Sequence, residues 1–266
     1  MKPHSRWGLR VLGLGYVLLL LLLPLAFIFY KTFEDGISPP LEAITSPDGL
    51  HALKLTLLMV AISVPLNTVF GVGCALLLVR HRSRSNALID TVINLPFAIS
   101  PVVIGLSLFV LYSTNGGWFG PGLAEAGIKV LFSVPGMVLA SIFVSLPFVV
   151  RETVPVLQEI GTEQEQAAST LGANAWQTFR RVTLPAIRWG VAYGVVLTTA
   201  RVLGEFGAVS VVSGSISGQT QTLPLFVAKE YENFNLPGAF GASVLLALLA
   251  LMTLLAMNML QRKEDA

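Results

Sequence analysis

Apolar residues run along the chain in six long blocks, at 11–30, 53–79, 88–112, 134–150, 187–212 and 239–260. Each block has at least the ~17 residues that a helix needs to cross a hydrocarbon core. The pattern predicts an all-α integral membrane protein, one transmembrane domain over 1–266 with six transmembrane helices. Several blocks contain proline: Pro24, Pro65, Pro96, Pro101, Pro135 and Pro147. Neighbouring helices in a bundle satisfy the carbonyls that proline frees, so these positions predict kinks rather than breaks. Gly71, Gly73, Gly105, Gly194 and Gly207 are small enough for helices to approach closely there.

One polar stretch interrupts the pattern between the fourth and fifth blocks, within a loop at about 155–186. It reads EQEQAASTLGANAWQTFRRVTLPAI over 163–187, and its punctuation is that of two short helices. Thr162 and Glu165 have the spacing of a capping box at a helix start. Gly172 suits the left-handed residue that ends a helix. Asn174 suits the cap of a second helix, which is expected to run through Val182 and stop before Pro185. Ala167, Ala168 and Gly172 leave one side of the bend nearly bare, as a helix lying in another protein's groove requires. Leu171, Trp176 and Phe179 are the expected apolar anchors to the membrane domain.

Charge sets the orientation. With the N-terminus in the cytoplasm, the inner segments carry twelve basic residues, among them Arg80, Arg82, Arg84, Arg151, Arg180, Arg181 and Arg188. The outer segments carry four, namely Lys31, Lys54, Lys129 and Lys229. The positive-inside rule selects this topology, with both termini and the polar loop cytoplasmic. The first block has a basic flank like a signal peptide but is long for one, and no small-residue cleavage site follows it before Lys31, so it reads as an uncleaved helix. Composition agrees with the membrane reading: 54% of the 266 residues are apolar and 12% charged, against about a quarter charged in soluble domains. The lone Cys74 has no partner for a disulfide and reads as a packing residue.

The segment QAASTLGANAWQTFRRVTLP resembles the EAA loop of ABC-importer permeases, whose pattern is Glu-Ala-Ala, three residues, glycine, nine residues, then Ile-x-Leu-Pro. Gln166, Ala167, Ala168, Gly172, Val182, Leu184 and Pro185 stand at those positions with the spacing intact. Two departures are visible: Gln166 replaces the glutamate, with Glu165 next to it as a substitute, and Val182 replaces the isoleucine. The resemblance implies a type I importer permease fold whose loop is the coupling helix gripped by an ATPase subunit. TTARVLGEFGAVSVVSGSISGQTQTLPL at 198–225 and NLPFAISPVVIGLSLFVLYSTNGG at 94–117 are similar to the sulfate and molybdate group, and most to sulfate/thiosulfate permeases of the W type. Membership of that group implies a location in the bacterial inner membrane. It also implies a second, T-type permease, two ATP-binding subunits holding ATP and magnesium, and an external sulfate-binding protein.

Outside the loop, Arg201 and Glu205 are charged residues well inside a span. They are four apart, as for a structural pair on one helix face, and charges at such depth also face bundle interiors or water-filled paths. They are therefore candidates for the translocation path or its gate. Asp90 lies near the inner interface, where Arg84 or water is its expected partner. His4, His51 and His81 fall in predicted loops, with no two spaced as metal ligands. No histidine stands near a buried serine as a hydrolase would need, and no GxxxxGK[ST] phosphate loop is present. The chain therefore reads as a non-catalytic subunit that binds neither metal nor cofactor itself. A molybdate or tungstate permease working as a homodimer is the alternative within the class. A membrane scaffold or receptor that moves no solute is the alternative outside it, disfavoured by the short flanks at 1–10 and 261–266.

Overall fold

The structure, a computed structural model, describes residues 12–34, 36–81 and 86–264. The basic residues at 1–11, Arg82 and Arg84 lie outside the described residues, as do the side chains of Arg262 and Lys263. Among the described residues the regular structure is helical throughout. Four helices are long and apolar enough to cross a membrane unaided: α1 (Leu12–Phe33), α3 (Pro47–Arg80), α7 (Val134–Glu159) and α13 (Leu236–Glu264). Two bent pairs supply the remaining spans, α4 (Asn86–Ala98) with α5 (Pro101–Tyr112), and α10 (Arg188–Leu203) with α11 (Gly207–Ser213). Short helices α2 (Ser38–Thr45), α6 (Gly120–Glu125) and α12 (Leu223–Glu232) cap one end of the bundle. The opposite end carries the polar loop, as α8 (Glu163–Thr170) and α9 (175–186).

The long α3 begins with strong start signals. Ser46 accepts the Gly49 N–H at 3.1 Å, Pro47 opens the first turn and Asp48 follows it, which matches the orphan donors and positive end of a helix N-terminus. At 34 residues it is about 50 Å long at 1.5 Å per residue. The helix therefore continues past any ~30 Å hydrocarbon core and delivers Arg80 to the loop end.

Packing centres on α7, the most buried of the four unbroken spans. In lipid there is little hydrophobic gain from helix association, so close backbone approach has to supply it. Val149 of α7 illustrates how. A methyl group added at Gly71 of α3 would meet Val149 Cβ at 2.6 Å, and one at Gly194 of α10 would meet Val149 Cα at 2.8 Å. Those two glycines therefore admit α7 between their helices. Gly73, by contrast, faces open space. Polar contacts run along the same α3–α7 seam, where Asn67 donates to Ser145 Oγ at 2.7 Å and to the Ile142 carbonyl at 3.3 Å.

The prolines behave in two ways. Pro65, Pro96 and Pro147 sit inside continuous helices. Pro101 instead breaks its span. The residue before a proline is pushed to extended geometry, and Ser100 takes φ −59°, ψ 135°. The chain bends by 110° there, a break where the sequence predicts a kink. Both halves of the bent pair still contact α7 or the residues leading into it. Asn94 Oδ1 accepts from Arg151 Nε at 3.1 Å, the Phe97 and Phe148 rings lie 5.3 Å apart, and Phe109 meets Phe132 just before α7 begins.

The break in the fifth span, at 204–206, bends the chain by 54° and touches the first break. A methyl at Gly207 would meet Pro101 Cβ at 3.0 Å, and one at Gly105 would meet the Ala208 carbonyl at 2.7 Å. The half-helices α5 and α11 thus pack backbone to backbone. Beyond α11 the run 220–223, expected to be an outer loop, is buried. The Leu223 N–H donates to Thr56 Oγ1 of α3 at 2.8 Å, so this segment folds back into the bundle instead of lying on it. His51 stands inside α3, its Nε2 3.1 Å from the Gln219 carbonyl oxygen, where the sequence suggests a loop.

Candidate functional site

The polar loop folds as a helical hairpin with a tightly specified bend. Gly172 takes φ +85°, the left-handed region open to glycine. Its N–H donates to the Ser169 carbonyl at 3.0 Å, and the Ala173 N–H donates to the Ala168 carbonyl at 3.0 Å. These two bonds form a Schellman motif, which satisfies the last carbonyls of α8. The next helix starts two residues later, where Asn174 Oδ1 accepts the Gln177 N–H at 2.9 Å and Gln177 Oε1 accepts the Asn174 N–H at 3.0 Å. Both cap assignments at this bend agree with the sequence reading.

At the start of α8 the capping box expected from Thr162 and Glu165 does not form. Thr162 sits at φ −116°, ψ 0° with no side-chain cap bond, and its hydroxyl instead accepts from Gln166 Nε2 at 3.0 Å. Glu165 turns inward. Its Oε2 lies 3.0 Å from Arg80 Nε, inside ion-pair range though off the hydrogen-bonding direction. Its Oε1 accepts from Arg80 Nη2 at 3.2 Å and from Thr183 Oγ1 at 2.8 Å. A guanidinium and a hydroxyl together are stronger partners for a carboxylate than one backbone N–H.

The second helix also departs from expectation, because it runs through Pro185 to Ala186. The turn 179–183 widens to π geometry, with the Leu184 N–H bonding back to the Phe179 carbonyl. Proline lacks an N–H and its ring collides with the carbonyl four residues back. One wide turn directly before it relieves that collision. The same device appears in α1, where the Leu23 N–H bonds to the Leu18 carbonyl directly before Pro24.

Three apolar residues of the hairpin separate into two roles. Phe179 is half-buried and packs into the loop-end core with Leu157, Ile187 and Val150. Leu171 and Trp176 are 88% and 65% exposed and face away from the bundle, contrary to the expectation that all three anchor the bend. Ala167, Ala168, Leu171, Val182 and Pro185 line one shallow, open hollow, and Gly172 stands open at the apex, where an added methyl group would meet nothing within 4 Å. Gln166 and Leu184 are exposed. Of the loop residues singled out from sequence, Glu165 and Phe179 are committed to the bundle side. Arg80 and Thr183 escape a sequence reading: Arg80 registers there only as one more basic flank, and its pairing partner lies 85 positions away.

Arg201 and Glu205 meet as expected, with Nη1 2.6 Å from Oε2. They do not share one helix, since α10 ends at Leu203 and Glu205 lies in the break. Its Oε1 accepts the Ala208 N–H at 2.8 Å, closing the start of α11. The Glu205 side chain is 2% exposed and that of Arg201 is 28% exposed, so the carboxylate is enclosed while the guanidinium reaches a surface. Asp90 accepts from Asn94 Nδ2 at 3.0 Å, and its suggested partner Arg84 lies outside the described residues. Among the described residues no group of three or more His, Cys, Asp or Glu gathers in a way that could hold a metal.

The hairpin therefore presents a preformed, apolar-tipped bend, and the fifth span holds a charge pair at a break. Over residues 67–265 the chain matches the family described as the binding-protein-dependent transport system inner membrane component. It is 54% identical over 258 residues to the sulfate transport system permease protein CysW of Synechocystis sp., covering 97% of this chain and 93% of that one. It is 48% identical to CysW of Escherichia coli, covering 97% and 88%, and 40% identical to the sulfate transport system permease protein CysT of Escherichia coli, covering 94% and 90%. In fold it is similar to a chain of a bacterial ABC transporter that imports the acidic polysaccharide alginate, with a TM-score of 0.82 at 19% identity, covering 98% and 96%. The chain belongs to the binding-protein-dependent transport system inner membrane component family, as a multi-pass membrane protein with the type I importer permease fold.

Proposed function

We propose that this chain is the W-type permease subunit of an ATP-driven importer of sulfate or thiosulfate, forming half of the translocation path. The observation that carries the reading is the preformed bend at Gly172, with Leu171 and Trp176 turned outward, in a chain whose near full-length relatives are sulfate permeases. The bend is the docking surface for an ATPase subunit. Ala167, Ala168, Gly172, Leu184 and Pro185 shape it, Gln166 lies on its exposed side, and Glu165 secures it from behind. The loop and both termini face the cytoplasm, as the twelve-to-four distribution of basic residues supports.

Six spans make half a path, so a second permease of the T type completes it. Two ATP-binding subunits dock on the two loops and carry ATP and magnesium, and an external binding protein delivers the anion. Closure of the ATPase pair draws the loops together and rocks the spans from inward-open to outward-open. Arg201, held by Glu205, belongs to the path or its gate. An arginine already neutralised by a carboxylate offers a dianion a modest attraction, which suits release, and tight capture belongs to the binding protein, where backbone N–H groups at helix ends wrap the anion.

The test is gentle purification of the tagged chain from its own membrane, identification of what accompanies it, and uptake of radiolabelled sulfate and molybdate. The expected result is a second, non-identical permease, an ATPase, and sulfate uptake that excess molybdate fails to abolish. Recovery of a homodimer that imports molybdate would replace the cargo assignment, and recovery with no ATPase would overturn the importer reading.

A further inference from the structure

We infer that Arg80 is the positioning residue that transmits motion of the docking bend to the membrane spans, through Glu165 and Thr183. The inference rests on the reading of the hairpin as the ATPase docking element and adds the route by which force leaves it.

Arg80 is the last residue of α3, and its side chain reaches the end of α7, the turn after it and the start of α8. Nη1 donates to the Leu157 carbonyl at 3.2 Å and Nη2 to the Gly161 carbonyl at 2.7 Å. These oxygens belong to the end of α7 and the turn after it, where a helix leaves carbonyls unpartnered and favours a cation. The same guanidinium faces the Glu165 carboxylate in the first turn of α8, where a negative charge is favoured. The carboxylate in turn accepts from Thr183, a buried residue of α9. One planar fork with its bound carboxylate therefore joins α3, α7, α8 and α9.

The covalent route makes such a brace necessary. Between α7 and α8 the chain passes through Gly161 at φ +62°, a short turn that gives when α8 is pushed. Arg80 spans that turn, gripping the Gly161 carbonyl and Glu165 together, so a displacement of α8 reaches α7 directly. Toward α3 the hairpin has no direct chain connection; the ion pair is the polar tie. Side-chain exposure of 13% for Arg80 and 21% for Glu165 keeps the pair largely shielded from screening ions. Lysine would keep the charge but lose the fork, since one ammonium cannot bond two carbonyls and a carboxylate in these directions.

The experiment uses the complete complex, both permeases with ATPases and binding protein, in liposomes supplied with sulfate. Three quantities are read: ATPase recovered per permease, ATP hydrolysed, and sulfate delivered per ATP. In Glu165→Gln the ATPase remains bound, and sulfate per ATP falls by on the order of fivefold or more. Arg80→Lys and Arg80→Gln show the same uncoupling, and the double variant Arg80→Gln/Glu165→Gln is no worse than Arg80→Gln alone, the mark of residues acting through each other. Restoration of part of the ratio by Glu165→Asp supports the same conclusion. Should Arg80 variants fail to accumulate, Glu165→Gln and Thr183→Val, both outside the spans, carry the test. A wild-type ratio in Glu165→Gln and Thr183→Val overturns the inference. So does loss of bound ATPase in Glu165→Gln, which would make the carboxylate part of the docking contact. Failure of the wild-type chain to bind ATPase at all would instead strike the underlying functional reading.

Discussion

The Arg201–Glu205 pair and the Arg80–Glu165 pair have the same chemistry and opposite construction. The first is local, four residues apart, and closes a break within one span. The second links residues 85 positions apart and ties the end of α3 to α8, two elements with no direct connection along the chain. Depth differs as well. Arg201 lies about 20 Å along α10 from Arg188 at 1.5 Å per residue, whereas Arg80 sits at the loop end, where water is near. Loss of a partner should therefore act on folding and assembly in the first case, and on communication between elements in the second.

The largest effect is expected from the deep pair, and it should be asymmetric. Arg201→Gln leaves an enclosed carboxylate with one backbone N–H for company, and removing one partner of a buried pair costs about 3–5 kcal/mol. Glu205→Gln keeps an amide oxygen able to accept the Ala208 N–H, and it leaves an arginine that already reaches a surface. Arg201→Gln should thus reduce recovery of assembled complex far more than Glu205→Gln, with size-exclusion profiles as the measurement. The double substitution Arg201→Gln/Glu205→Gln should recover assembly. Recovered assembly without sulfate uptake would assign the pair a part in the path or gate. Equal tolerance of both single changes would mean that neither side chain is enclosed in the assembled bundle.

The contrast between the pairs also explains what the sequence disclosed. Spacing of four made Arg201 and Glu205 visible together, and the fixed offsets of Gly172, Asn174 and Pro185 made the hairpin visible, because these signals are local. Arg80 and Glu165 have no local relation, so only the folded chain brings them together, and Thr162 and Glu165 suggest a capping box that the distant guanidinium pre-empts. Leu171 and Trp176 show a second limit. Three apolar residues in a polar loop read alike as anchors, and the direction in which each points depends on the rotation that the Gly172 bend and the π turn impose. The break at Ser100 follows from the restriction that Pro101 places on the residue before it, yet five other prolines in the apolar blocks impose the same restriction, and packing decides which helices remain continuous. The reburial of 220–223 has no signal of its own, since Thr-Gln-Thr suits a surface loop, and its burial rests on Thr56 of α3.

The second-largest effect should appear at the tip of the hairpin, on docking and not on folding. Gly172→Leu meets no atom within 4 Å of its first side-chain carbon in the chain itself, so the cost within the subunit is the left-handed backbone alone, about 1–2 kcal/mol. That strain, together with new bulk on the apex, should sharply reduce the ATPase that co-purifies while the permease keeps its elution volume. Leu171→Ala and Trp176→Ala test the same surface without backbone strain. Leu171→Ala removes an 88% exposed side chain, so permease stability should stay within about 0.5 kcal/mol of wild type. Trp176→Ala also loses a ring contact with Phe179 at 5.6 Å, worth about 0.5–1.5 kcal/mol. In both, ATPase recovery should fall. Unchanged ATPase recovery in all three variants would show that the partner grips another face of the hairpin.

The smallest effect, and the one that separates preformed from induced docking, belongs to Asn174. Its side chain and that of Gln177 satisfy each other's backbone N–H groups at the start of α9, and replacing such a cap by alanine costs about 1 kcal/mol. Leu171 and Trp176 flank this cap, so their relative orientation depends on α9 beginning where it does. Asn174→Ala should leave the spans untouched, because the site is exposed and the Phe179 anchor lies further along. It should raise the hydrogen-exchange rate of the Gln177 amide and its neighbours in the isolated permease. If docking requires a preformed bend, ATPase affinity falls by up to about fivefold, the equivalent of that 1 kcal/mol. If exchange accelerates and affinity does not change, the ATPase orders the bend as it binds, and the hairpin's geometry in the free subunit is a convenience of folding and not a condition of coupling.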